Sequence, residues 1–138
     1  MSIHYAQLLL TRARSYLDSA KDNILKGRYD VAAVELEIAA QLAVKSLIVK
    51  LGFEPPRTHS IRQLLSFIIS NRLLPEYCLR EIREFVQMNR EKLVLLENAR
   101  TLGQYGTTQV DVEDVKPLVE ITEKVLELVE RYWKMVTT

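Results

Sequence analysis

Residues 29–51 leave a chain of this size few ways to fold. Two apolar stripes run through them at helical spacing, Val31–Val34–Ile38–Leu42 and Ala32–Leu36–Ala39–Ala43–Leu47. Together they cover most of a helix circumference, which predicts a central helix packed on several sides. Other helices must therefore surround it. Gly27 and Gly52 bound the segment, and Pro55 and Pro56 prevent it from resuming. Asp30 is the expected N-cap.

The flanking segments supply the surrounding layer. Ile3, Ala6, Leu10, Ala13, Leu17 and Ala20 alternate steps of three and four, so a first helix runs from about Ile3 to Lys26. Only Gly27 and Arg28 separate it from the second, which predicts an antiparallel hairpin. A short third helix starts near Ser60, where Ser60 and Gln63 have capping-box spacing, and ends near Asn71. Pro75 opens a fourth helix that Ile82, Phe85, Val86, Leu93 and Leu96 carry to about Arg100. Residues 103–111 read as the longest loop. Asp111 or Asp114 caps a last helix, and Asp114 is preferred because Pro117 then falls in the first turn. At about 1.5 Å per residue the four long helices are each roughly 33–36 Å. The expected fold is all-α: an up-and-down four-helix bundle with one additional short helix, five helices in a single domain over residues 1–138.

Composition narrows the function. The 138 residues include 4 Gly and 4 Pro, too few for the tight turns of a sandwich or barrel. The formal net charge is +1, so no global field draws nucleic acid or an anionic membrane. That balance hides a division. Residues 111–138 carry 4 basic and 7 acidic side chains, net −3, and the remainder is +4. No stretch is apolar enough to span a bilayer, and residues 1–6 lack the pattern of a signal peptide, so the expected compartment is the cytoplasm.

The inventory also restricts chemistry. One cysteine, Cys78, forms no intrachain disulfide and no cysteine-based zinc site, and it is expected to be a buried or half-buried thiol. Two histidines, His4 and His59, lie in unrelated segments, so no metal site is expected. No Gly-rich phosphate loop is present, and no cofactor is expected. His59 stands before Ser60, where its ring supports the cap or faces solvent.

Two polar features remain. Glu37, Gln41 and Lys45 form an i, i+4, i+8 row on the second helix. The favoured reading is its one solvent-facing stripe; the other is a polar line at a subunit interface or groove. Arg100, Gln104 and Tyr105 stand where the fourth helix meets the loop. Either Arg100 bonds the last carbonyls of its helix with Tyr105 as a plug, or the three form an anion- or base-binding corner.

Several segments together resemble the HEPN family (higher eukaryotes and prokaryotes nucleotide-binding domain). They are Gly27-Arg28-Tyr29-Asp30 before the second helix, and Glu37 through Lys45 to Leu47 within it. Gly52, Thr58-His59-Ser60-Ile61 and Leu64-Leu65 follow, and then Asn98 through Gly106 before Val112-Glu113-Asp114-Val115. The resemblance implies a dimeric helical bundle, often an RNA-cutting toxin or the partner of a minimal nucleotidyltransferase in prokaryotic two-gene modules. The family's ribonuclease motif is an Arg followed after four to six residues by His. Here the positions after Arg90 hold Leu95, Leu96 and Glu97, and those after Arg100 hold Tyr105, Gly106 and Thr107.

The resemblance without that pair implies a non-catalytic nucleotide- or RNA-binding or regulatory subunit, with no catalytic residue assigned. Its partners would be a second copy, a nucleotidyltransferase-like protein and a nucleotide or RNA, with no membrane and no sequence-specific DNA. Arg100, Gln104, Tyr105, Lys45, Glu37 and His59 are the candidate contacts. The first alternative is a ribonuclease with an unorthodox site, built on Arg100 and Tyr105 or on His59 brought in by folding. The second is a structural interaction module whose partner sits on the acidic last helix.

Overall fold

The computed structural model describes residues 3–136, and among them it holds six helices and no strand. They are α1 (Ile3–Leu25), α2 (Tyr29–Lys50), α3 (Ile61–Ser70), α4 (Glu76–Met88), α5 (Arg90–Tyr105) and α6 (Val112–Met135). The all-α expectation holds. The five-helix count does not, because the expected long fourth helix is two helices. The break falls at Asn89, whose side-chain amide and backbone N–H both donate to the Phe85 carbonyl, at 2.9 and 3.0 Å. An Asn that bonds its own backbone in this way offers the chain an alternative to the helical ladder. The Asn89 carbonyl then accepts from the Leu93 N–H and starts α5.

The second segment is central as its two stripes predict. α2 contacts α1, α3, α5 and α6, and thirteen of its residues are buried. On α1, Ala6, Ala13 and Ala20 recur every seven residues and are fully buried, and α1 makes its extensive contact with α2. Small side chains in register let two helices approach closely. The Ser19 hydroxyl and the Asn23 amide both donate to Glu35 and tie the hairpin near its turn. The Thr122 hydroxyl donates to the Leu36 carbonyl, and the Trp133 indole donates to Ser46 Oγ at 3.1 Å. Eleven residues of α6 thus match ten of α2, so these two helices run in the same direction. Arg14–Glu130 and Lys21–Glu123 pair α1 with α6 in the opposite sense.

α4 is the peripheral element, fastened by Cys78, Leu79 and Ile82 beneath it and by Tyr132 of α6. The Tyr132 hydroxyl donates to Glu81, and burial pushes that phenol above its ordinary pKa. Cys78 is buried as expected, and burial pushes its thiol up.

Three capping details differ from the expectations. Asp111, not Asp114, caps α6: it accepts from the N–H groups of Glu113 and Asp114, and Asp114 accepts from the Asp111 N–H in return. The reciprocal pair satisfies more orphan donors than a cap at Asp114 alone, and Pro117 consequently falls in the second turn. Asp30 lies inside the first turn of α2 and accepts from the Val110 N–H at 3.0 Å, while Arg28 stands at the N-cap without a side-chain bond. Asp30 therefore holds the loop before α6 rather than starting α2. The expected loop at 103–111 is shorter, because α5 continues through Tyr105.

Gly103 makes that continuation possible. A Cβ there would stand 2.6 Å from the Asp30 carbonyl oxygen and 2.7 Å from Val34 Cγ2. Backbone cannot yield as a side-chain tip can. Alanine is the better helix former by about 1 kcal/mol, but overpacking costs about 1–3 kcal/mol, so Gly103→Ala is expected to be destabilising on balance. Chemical denaturation would show a lower midpoint at unchanged slope, and a midpoint at or above wild type would remove the close approach of α5 to α2.

Candidate functional site

The polar row on α2 is not the solvent-facing stripe that its spacing favours. Glu37 is 1% exposed and Gln41 is 6% exposed, because α5 covers them. The Gln41 amide donates to Glu37 Oε1 at 2.9 Å, and Lys45 Nζ donates to Gln41 Oε1 at 2.9 Å. His59, carried by the connection before α3, brings Nδ1 to 3.3 Å from that same Gln41 oxygen. Glu37 Oε2 is buried and has no hydrogen-bond partner among the described residues. A buried carboxylate oxygen in that state calls for an explanation, since such groups are nearly always satisfied.

The electrostatics follow from the burial. Desolvation pushes the Glu37 carboxyl above its ordinary pKa, against the bond from Gln41 and the positive charges of Arg100 and Lys45. Desolvation also pushes the Lys45 ammonium down, with Glu37 acting in the opposite sense. Both shifts favour the uncharged forms. The row is thus held through the Gln41 amide rather than by a direct ion pair between its ends.

α5 supplies the facing side. Arg100 approaches Glu37 closely enough to act on its charge, and it has no hydrogen bond or ion pair among the described residues. Neither expected reading of Arg100 holds in full. It stands inside α5, more than a turn before the helix ends, so it does not cap the last carbonyls. Gln104 lies about one turn further on the same face, while Tyr105 is rotated about 140° from Arg100 and is 78% exposed, so it plugs nothing. The structure therefore groups Glu37, Lys45, His59 and Arg100, leaves Gln104 at their edge and separates Tyr105.

One element of the site was not legible in the sequence. Arg62 of α3 holds Glu97 of α5 in a fork, through Nε at 2.9 Å and through its second guanidinium nitrogen at 3.0 Å, and the Arg62 N–H donates to the same carboxylate. The pair is 35 residues apart, and no spacing rule connects them. It fixes the α3 end that presents His59, and it places a second carboxylate near Glu37.

A separate concavity of about 330 Å³ lies among Leu95, Ala99, Leu102, Val110, Pro117 and Leu118, on another flank of α5. It contains none of the row and is mostly apolar, so the convergent polar groups mark the row as the candidate site. Among the described residues no group of His, Cys, Asp and Glu could hold a metal ion, and no helix is long and apolar enough to cross a membrane.

Residues 6–132 match the family model of the HEPN domain. No curated protein matches the chain. The fold is similar to that in the crystal structure of TT1696 from Thermus thermophilus, with 22% sequence identity and a TM-score of 0.69. The likeness covers 91% of this chain and 96% of that one, and at such identity it concerns the fold alone.

Proposed function

The chain belongs to the HEPN domain family, and from that premise we propose that it is a non-catalytic nucleotide- or RNA-binding subunit that contacts its ligand through Arg100, Lys45 and His59. The observation that carries this reading is Arg100, a cation with no partner among the described residues, beside a buried polar row that ends on an exposed histidine. A guanidinium is suited to a phosphate because its planar fork matches two oxygens. Glu37 and Gln41 stand behind these groups, and Gln104 extends the face along α5. In this reading the subunit works as a homodimer beside a nucleotidyltransferase-like protein, as the family resemblance implies. The motif positions after Arg100, which hold Tyr105, Gly106 and Thr107, support a binding role over an RNA-cutting one.

Titration with mononucleotides and short RNA tests the reading. Arg100→Ala is expected to weaken binding by roughly ten- to a hundredfold, the effect of a lost charge-assisted hydrogen bond. Binding that survives the substitution unchanged would remove Arg100 from the site.

One observation favours a second reading. Folding does bring His59 to the row, as the alternative of an unorthodox ribonuclease requires. RNA cleavage abolished by a change at His59 or Arg100 would replace the first reading with this one. The remaining alternative, a partner on the acidic last helix, has less support. Glu120, Glu123 and Glu130 of α6 are already paired with Lys92, Lys21 and Arg14.

A further inference from the structure

The Gln41 amide can point only one way. Its two neighbours along α2 are a carboxyl group and an ammonium group, and they contact different ends of the amide. As an ammonium, Lys45 has only protons to offer, so the atom it meets is the carbonyl oxygen. The NH2 group is then left for Glu37, which accepts from it. The atom that His59 Nδ1 approaches at 3.3 Å is therefore an acceptor with no proton to give. A neutral imidazole in that position carries its proton on Nδ1, and the lone pair falls on Nε2. The His59 ring is exposed, and Nε2 has no partner among the described residues.

We infer that Gln41 is a positioning residue: clamped between Glu37 and Lys45, it fixes His59 as the Nδ1–H tautomer and leaves Nε2 as an open acceptor for a ribose hydroxyl beside the ligand's phosphate. The ligand clause rests on the nucleotide-binding reading above; the positioning clause does not. Lys45 and Arg100 supply charges that suit a phosphate but do not distinguish ribose from deoxyribose. An acceptor set among them does, because the 2′-hydroxyl is the donor that deoxyribose lacks. Glu37 accepts from the other end of the amide through Oε1 alone, and its Oε2 takes no part in holding Gln41.

Nitrogen-15 NMR of the full chain, recorded with the imidazole neutral, reads the tautomer directly. Wild type is expected to show the Nδ1–H pattern at His59. Gln41→Met, which keeps the volume and removes the amide, is expected to shift it toward the Nε2–H form. Glu37→Gln is expected to leave it unchanged, because Lys45 still holds the Gln41 oxygen. An Nε2–H pattern in wild type, measured without any variant, overturns the positioning role, as does an unchanged pattern in Gln41→Met. Titration with matched ribo- and deoxyribo-oligonucleotides tests the ligand clause. Wild type is expected to prefer the ribo form about three- to tenfold, the range of a single hydrogen bond, and Gln41→Met to lose the preference while retaining phosphate-driven affinity. Equal affinities in wild type overturn the ribose clause. Absence of all binding together with the Nδ1–H pattern removes the nucleotide-binding reading and supports the positioning role alone.

Discussion

Trp133→Ala should cost the fold about 3–5 kcal/mol, the range for truncating a large buried aromatic. Trp133 sits near the end of α6 and is 9% exposed. Three kinds of interaction converge on it. Its indole N–H donates to Ser46 Oγ at 3.1 Å, and Ser46 is fully buried in α2. Lys50 Nζ stands 3.9 Å from the ring centroid and also donates to the Trp133 carbonyl at 3.0 Å. Truncation leaves a cavity, removes one of the two hydrogen bonds of the buried Ser46 hydroxyl, which still donates to the Ala43 carbonyl at 2.6 Å, and strips the aromatic face from a cation. Trp133→Phe separates these contributions. It keeps much of the apolar area and the face under Lys50 and loses the bond to Ser46, so it should cost much less than the alanine variant. Thermal unfolding would show a Tm more than about 10 °C lower for Trp133→Ala. A loss below about 1 kcal/mol would mean that α6 is not fastened to α2 at this end.

Glu37→Gln should do the opposite and raise stability at neutral pH, because it removes a buried charge while keeping the acceptor for the Gln41 amide; the gain is about 1.4 kcal/mol for each pH unit by which burial raises the carboxyl. The reasoning turns on protonation. Burial holds the native carboxyl above the ordinary glutamate value of 4.5. The native state therefore binds a proton more tightly than the unfolded chain does, and its stability declines as pH rises from near 4.5 through the raised native value. Above that window the loss is complete and the profile is flat. The glutamine variant has no such proton, so the two proteins should converge in acid and diverge towards neutral pH. Denaturation midpoints across the acid-to-neutral range would show it. Parallel profiles, or a variant less stable than wild type at neutral pH, would mean that Arg100 and Lys45 fully compensate the charge.

Much of the fold was legible because apolar spacing reports which face of a helix is covered. α1, α2, α3 and α6 lie where their stripes place them, and Ser60 caps α3 by accepting from the Gln63 N–H. The break at Asn89 was hidden for the same reason. Val86 and Leu93 are seven residues apart, so the apolar rhythm continues across a point where the backbone ladder does not. Capping at Asp111 and the use of Asp30 depended on which carboxylate wins a contact, and spacing does not decide that. The site was half legible. Glu37, Gln41 and Lys45 are on one face by arithmetic, but whether that face meets water or α5 is a question of packing. His59 reaches Gln41, and Arg62 reaches Glu97, only through the placement of α3. Tyr105 follows Arg100 closely in sequence yet points elsewhere, because five residues along a helix is not a whole number of turns.

The molecule holds two charge systems that respond to different variables. The pairs between α1 and α6, Arg14–Glu130 and Lys21–Glu123, are largely open to solvent. Mobile ions screen such pairs, with a Debye length of about 8 Å at physiological ionic strength, so each contributes little and less as salt is added. Glu37 and Gln41 lie in the interior, where counterions do not enter, whereas Lys45 at the end of the row is half-buried. Added salt should therefore loosen the contact of α1 with α6 while leaving the Glu37–Gln41 bond unchanged, and Glu37 should respond to acid instead.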